Sequence, residues 1–323
     1  MYDIITVGAG TRDVFLISDQ FKFIESSVFE TGMGECVSLG SKIEIEQVIH
    51  STGGGATNAA VTFARLGFGC ATVCKVGNDH LGRDLIIDLQ RDGVNTTLIK
   101  RAKGDTGYST LLTDAKSGER SVLVYRGVSA TLGETDVPWK DCIASWFYLT
   151  SLGGRGAGLT KRIISQALRC DARVAWNPGG KEIALGMRVL RPLIANAAIL
   201  ILNREEAERL TGEKKLEAIF EALRVPGNVI IITDGANGAY AQKDRERYFA
   251  PATGRKAVSR TGAGDAFGSG FVAAYMKAGR LPYALAVATL NAEGVIGKIG
   301  AKAGILSRFP SPQQLKRVKV KPV

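Results

Sequence analysis

Thr261-Gly262-Ala263-Gly264-Asp265 runs directly into Ala266-Phe267-Gly268-Ser269-Gly270-Phe271. Small residues are followed by a carboxylate and then by apolar residues at helical spacing. Phe267, Phe271 and Ala274 share a face, and Gly279 supplies a stop. Glycines let the backbone turn tightly and let a bulky anion come close. The first amides of the helix have no partner within it and sit at the positive end of its dipole, so the stretch reads as an oxyanion pocket. Asp265 stands in the first turn, at the pocket's edge. A carboxylate beside an anion site is awkward unless it has a task, and accepting a proton from an attacking hydroxyl is one. Asp also occurs in first turns merely to complement the dipole. That dipole is expected to lower the pKa of Asp265, leaving a weak base whose placement matters more than its strength.

A second constellation is Ser51-Thr52-Gly53-Gly54-Gly55-Ala56-Thr57-Asn58-Ala59-Ala60-Val61. Its glycines expose backbone amides, Asn58 offers both a donor and an acceptor, and the alanines begin a close-packed helix ending near Gly67. A plain helix start accounts for the same letters. Asn203 and Glu206 have capping-box spacing after the apolar run Ala198 to Leu202. Val229 to Thr233 is a further apolar run, entering the Gly-rich turn Asp234-Gly235-Ala236-Asn237-Gly238.

Two tempting motifs fail. Gly8-Ala9-Gly10-Thr11-Arg12-Asp13 follows an apolar strand like a dinucleotide fingerprint, but Asp13 occupies the third glycine position and Val14 to Ile17 looks extended, not helical. An oxidoreductase using that cofactor is disfavoured on this ground. Ser151 to Thr160 nearly matches a Walker A loop, but Leu159 stands where the phosphate-binding lysine belongs, and a Gly-rich strand-to-helix turn is the better reading.

The elements that must carry these residues alternate strand and helix, which predicts an α/β fold with ligands at the carboxyl ends of the strands. Residues 18–50 depart from that rhythm. Glu35 to Leu39 and Lys42 to Ile49 alternate like strands with one wet face, and Ser109 to Thr113 and Ser121 to Tyr125 flank a turn at Lys116 to Glu119. These pieces are expected to build a small β-sheet lid from about 18–50 and 105–130, inserted in a single domain spanning 1–323. Asp79 and Gly82, after the strand Ala71 to Val76, read as structural.

The 323 residues are 45% hydrophobic and 23% charged, an ordinary globular composition with a net charge of +11. That charge suits anionic ligands such as nucleotides; no zinc-finger spacing or RNP-type motif supports nucleic acid, and the basic tail from Lys316 to Lys321 reads as a solvated end. Five cysteines and two histidines without ligand spacing point to a reduced, cytoplasmic protein without structural zinc. No stretch approaches a membrane span.

Taken together, the 261–265 stretch, the Gly-Gly-Gly-x-x-Asn motif and the Asn-x-x-Glu pair, in that relation along nearly the whole chain, resemble the ribokinase-like (PfkB) carbohydrate and nucleoside kinases. The resemblance implies a three-layer α/β/α Rossmann-like sheet with a β-lid, ATP and magnesium as cofactors, and transfer of the γ-phosphate to a primary hydroxyl of a small sugar or a ribonucleoside. It implies Asp265 as catalytic base and Gly262, Ala263 and Gly264 as the anion hole. Asp13, Gly54, Gly55 and Asn58 would hold the acceptor. Asn203, Thr233, Gly235 and Asn291 would serve the nucleotide, and Glu206 would hold magnesium through water. A homodimer through the lid belongs to the same picture, and a catalytically silent binding protein of this family is the alternative. In many members an Asp two residues before the anion-hole threonine helps hold potassium. Here Ser259-Arg260 occupies that run, so monovalent activation is expected to be lost, with the Arg260 guanidinium standing in for the ion's field.

Overall fold

The computed structural model describes residues 1–152 and 156–323. The Walker-like run Ser151 to Thr160 therefore lies partly outside the described residues, although Leu159 itself is buried in the core.

Nine strands among the described residues form one sheet, in the order β17-β16-β15-β14-β13-β12-β11-β1-β6. Its parallel part comprises β1 (Tyr2–Val7), β6 (Cys70–Val73), β11 (Ala144–Leu149), β12 (Arg173–Trp176), β13 (Ile199–Asn203) and β14 (Val229–Thr233). An antiparallel flank follows from β15 (Ala239–Lys243), β16 (Glu246–Ala250) and β17 (Lys321–Pro322). The parallel strands are near-continuous apolar runs because both faces are covered. In β1, Ile4 packs into one core layer while Ile5 and Val7 pack into the other, as period-two alternation requires. One layer holds α1 (Gly55–Arg65), α2 (His80–Arg91), α8 (Ala263–Ala278) and α9 (Leu281–Ile296). The other holds α3 (Gly156–Arg169), α4 (Gly180–Ile183), α5 (Met187–Ile194), α6 (Arg204–Thr211) and α7 (Leu216–Leu223), while the short α10 (Pro312–Leu315) packs beside α9. The expected three-layer α/β/α architecture is thus present.

A separate four-stranded sheet runs β10-β9-β2-β5, built from β2 (Thr11–Ser18), β5 (Gln47–Gly53), β9 (Tyr108–Asp114) and β10 (Arg120–Tyr125). Two-stranded pieces complete the inventory: β3 (Lys22–Glu25) with β4 (Met33–Cys36), and β7 (Lys75–Gly77) with β8 (Lys100–Ala102). The extended segment after Asp13 is therefore a full member of the small sheet, lying between β9 and β5. The strand expected over Lys42 to Ile49 starts only at Gln47. Ile43 and Ile45 still alternate with exposed Glu44 and Glu46, but that stretch pairs with no strand. Alternation reports which side faces the protein; it does not supply the neighbouring backbone that a strand needs.

Candidate active site

The carboxyl ends of β1 and β5 and the amino ends of α1 and α8 converge on one place. Asp13 enters from β2, whose residue Thr11 is paired with Gly53 at the end of β5. Gly54 then caps α1 with φ of 92°, a left-handed value that a side chain would strain, and a Cβ there would lie 2.4 Å from the carbonyl oxygen of Ala9. The chain can make this elbow only with glycine. On the other side, Gly262 caps α8 with φ of 79°, pressed so closely on Ala301 that a Cβ would come within 2.4 Å of its Cβ. Ala263 and Gly264 open the helix; Gly264 is exposed, and the Ala263 amide donates weakly to the Arg260 carbonyl at 3.4 Å.

Asn58 and Asp265, separated by 207 residues, meet directly: Asn58 Nδ2 donates to Asp265 Oδ2 at 2.8 Å. Asn58 is buried, and its Oδ1 has no partner, an acceptor atom held ready in the pocket. Asp13 is buried too; Thr11 Oγ1 donates weakly to it at 3.5 Å, and its carboxylate lies against the Cα of Gly53. The pKa of Asp265 stands above its ordinary value. Burial raises it, while the hydrogen bond from Asn58 and the charge of Lys302 pull it down. The direction is opposite to that expected from the helix dipole: desolvation outweighs the Asn58 hydrogen bond and the Lys302 charge, and the group is a stronger base than an exposed aspartate. Asp13 is raised likewise by burial, opposed chiefly by Lys302, and the negative charge of Asp265 adds to the rise.

Lys302 carries no functional signal in its motif, Ala301-Lys302-Ala303-Gly304, and sequence reasoning missed it. The one available hint is a lone cation among small apolar residues. Its side chain is buried and donates to Thr52 Oγ1 and, at 2.9 Å, to Thr57 Oγ1. Thr57 Oγ1 in turn donates to the carbonyl of Gly53 at 2.6 Å.

The remaining predicted residues divide. Asn203 and Glu206 form the capping box in full: Asn203 Oδ1 accepts from the Glu206 amide at 2.7 Å, and Glu206 Oε2 accepts from the Asn203 amide at 3.0 Å. Asn203 is exposed; the Glu206 carboxyl is raised by burial, with Glu205 and Glu182 adding to the rise. A carboxylate so placed would welcome a cation. Thr233 ends β14, and Gly235 begins a single exposed turn with φ of 53°. Asn291 does not belong with them. It is fully buried; its Nδ2 donates to the Ala266 carbonyl at 2.8 Å, and its Oδ1 accepts from the Leu306 amide at 2.9 Å. Its amide packs α9 against α8 and leaves no atom for a nucleotide. Asp79 caps α2, accepting from the Gly82 amide and from Thr106, as a structural residue does. Ser259 is buried with its Oγ accepting from the Thr261 amide at 3.3 Å. Arg260 is exposed, so the expectation that its guanidinium replaces an ion behind the loop is not met.

Known proteins resemble this chain in sequence and in fold. The chain matches the pfkB family carbohydrate kinase profile over residues 32–308. It is 32% identical over 248 residues to an uncharacterized sugar kinase of Archaeoglobus fulgidus, a match covering 75% of this chain and 97% of the other. To the aminoimidazole riboside kinase of Salmonella typhimurium it is 28% identical, covering 81% and 86%. Among solved structures, a putative ribokinase II of E. coli in complex with ATP and magnesium superposes with a TM-score of 0.75 at 19% identity, over 95% of this chain and 96% of that one.

Proposed function

From the premise that the chain belongs to the pfkB family of carbohydrate kinases, we propose that it transfers the γ-phosphate of ATP to a primary hydroxyl of a small sugar, at the junction of α1 and α8. It is an ATP-dependent kinase. The observation that carries it is the 2.8 Å contact between Asn58 and Asp265 beside the buried Asp13. Asp13 accepts hydrogen bonds from acceptor hydroxyls, Asn58 Oδ1 accepts another, and the amides at Gly54 and Gly55 approach the sugar closely. Asp265, its basicity raised by burial, takes the proton of the attacking hydroxyl. The helix start at Gly262, Ala263 and Gly264 stabilises charge on the transferring phosphoryl group. Asn203, Thr233 and Gly235 line the nucleotide side. Glu206, desolvated beside two other carboxylates, fits magnesium held through water, and that ion, when bound, neutralises phosphate charge.

A ribonucleoside acceptor is the second reading, favoured by the similarity to a riboside kinase. The chain forms one domain with the small four-stranded sheet as its lid. The exposed Leu123, Val124 and Tyr125 on β10 suit a homodimer through that lid. The five cysteines are all free, which suits the reducing cytoplasm. Among the described residues no helix is long and apolar enough to cross a membrane. The test is a coupled assay of ADP release with pentoses, hexoses and ribonucleosides. Saturable turnover with a free sugar supports the reading, turnover only with nucleosides selects the alternative, and none with any acceptor indicates a silent binding protein.

A further inference from the structure

We propose that Lys302 is a positioning residue of this site: its buried ammonium ties Thr52 to Thr57 beneath the acceptor elbow and acts as the counter-ion that lets Asp13 and Asp265 stand ionised in one pocket. The proposal rests on the kinase reading for the roles of the two aspartates, and its geometry stands without it.

Two carboxylates and an incoming polyphosphate in one desolvated pocket repel one another strongly unless a cation is built in. Both hydrogen-bond partners of the Lys302 ammonium are neutral hydroxyls. The charged and titratable groups acting on it are Asp13 from β2, Asp92 from the turn after α2, Asp265 from α8 and Cys74 from the junction of β6 and β7. Asp92 already has its own cation, since Arg65 of α1 donates to its Oδ1 through Nε at 2.9 Å and Nη2 at 2.6 Å. The same arginine grips the Lys302 carbonyl through Nη1 at 2.9 Å and so fixes the lysine's backbone. Among the described residues Lys302 makes no direct ion pair; it reaches Asp13 through Thr57 and Gly53, and its neighbour Ala301 packs on Gly262 at the start of the helix that carries Asp265, consistent with its charge opposing the rise in both carboxyls.

The route of that support is mechanical as well as electrostatic. Lys302 donates to Thr57, Thr57 donates to Gly53, and Gly53 is the surface on which the Asp13 carboxylate rests. The preceding residue, Ala301, is the one packed against Gly262 of the anion hole. One backbone segment thus braces both halves of the transfer site. Burial pushes the Lys302 ammonium down to about 7, against the pull of the carboxylates, so its charge is sensitive to pH near neutrality. Burying a lysine among hydroxyls is costly where an apolar residue would fill the space, which a purely structural role does not explain.

The test uses Lys302→Gln, which removes the charge but keeps a donor, and Lys302→Arg, which keeps the charge. In the glutamine variant the acid limb of kcat/KM for the acceptor moves up by about one pH unit, the basic limb near neutrality disappears, and the acceptor KM rises roughly tenfold with the ATP KM within about twofold. The arginine variant restores part of the acid limb. A folded Lys302→Gln enzyme with both limbs unmoved overturns the proposal. A readout independent of turnover and of that variant's folding is the ¹³Cε titration of Lys302 in the wild type and in Asp13→Asn. The lysine titrates at lower pH once its carboxylate partner is gone, and an unchanged titration overturns the proposal. Wild-type protein inactive on all acceptors would sink the kinase reading while leaving this coupling to be measured.

Discussion

The proposed acceptor side of the site and its proposed nucleotide side are built on opposite plans. Asp13, Asn58, Asp265 and Lys302 come from four distant segments, and they hold one another or the elbow between them. Asn203, Glu206, Thr233 and Gly235 lie at the ends of neighbouring strands, and the hydrogen bonds of the Asn203–Glu206 pair span only three residues. In the first group Asp13, Asn58 and Lys302 are buried and Asp265 is half-buried; the second sits largely at the surface, with Asn203 and Gly235 exposed. Pockets of the first kind punish a wrong acceptor by leaving buried polar atoms unpaired, whereas open ones tolerate variation. Discrimination is therefore expected to reside in the acceptor.

The most disruptive test of that contrast is Asp265→Asn. It should lower turnover by on the order of 10²–10⁴-fold, the scale of a general base. Stability should move the other way. A carboxyl whose pKa is raised by folding binds its proton more tightly in the folded state, so stability falls as pH climbs from the ordinary carboxylate value through the raised one, and the penalty persists at neutral pH. The asparagine variant should therefore melt at or above the wild-type temperature at pH 7, with the difference vanishing under acid. A variant that melts well below wild type at pH 7 would show that the carboxylate is a structural anchor.

Smaller, but better at separating the two sides, are Asn58→Ala and Asp13→Ala. Each should reduce kcat/KM for the acceptor by about 1–3 kcal/mol, with the ATP KM unchanged. A raised ATP KM with an unmoved acceptor KM would reverse the assignment. On the open side, Asn203→Ala should cost about 1 kcal/mol of stability through its lost cap and leave the acceptor KM alone. Thermal melts and acceptor saturation curves check the two halves of that statement. The smallest expected effect concerns potassium. Ser259 is neutral, its hydroxyl already accepts from the Thr261 amide, and turnover should stay flat when potassium is exchanged for a large organic cation at constant ionic strength. Strong saturable activation would mean that backbone carbonyls alone bind the ion.

What could be read from the sequence follows the same divide. The glycine turns, the helix from Ala263 to Gly279, the capping box and the strand–helix rhythm are local, because each depends on residues a few positions apart. Three things were not legible. Lys302 means nothing until Thr52 and Thr57 are seen around its ammonium. Asn291 looked like an available polar group until burial placed its amide between two helices. The direction of the Asp265 pKa reversed because helix polarity is visible in a sequence and desolvation is not. Each miss is a property of enclosure, which tertiary packing alone decides.

The position of β1 has a further consequence, for the protein as it is being made. β1 lies between β6 and β11, so Ile4 pairs on one side with Cys70 and on the other with Trp146. β1 precedes both neighbours in the chain and must wait until β11 is made, more than 130 residues later, before both its edges are covered. Asp13, Thr52 and Asn58 are made roughly 200 residues before Asp265 and Lys302. Until β11 is made the nascent chain carries an open edge on β1, and until Asp265 is made the Asn58 amide lacks that partner, states suited to chaperone capture. Translation pauses between Val73 and Ala144 should therefore lower the yield of folded kinase more than pauses after Lys302.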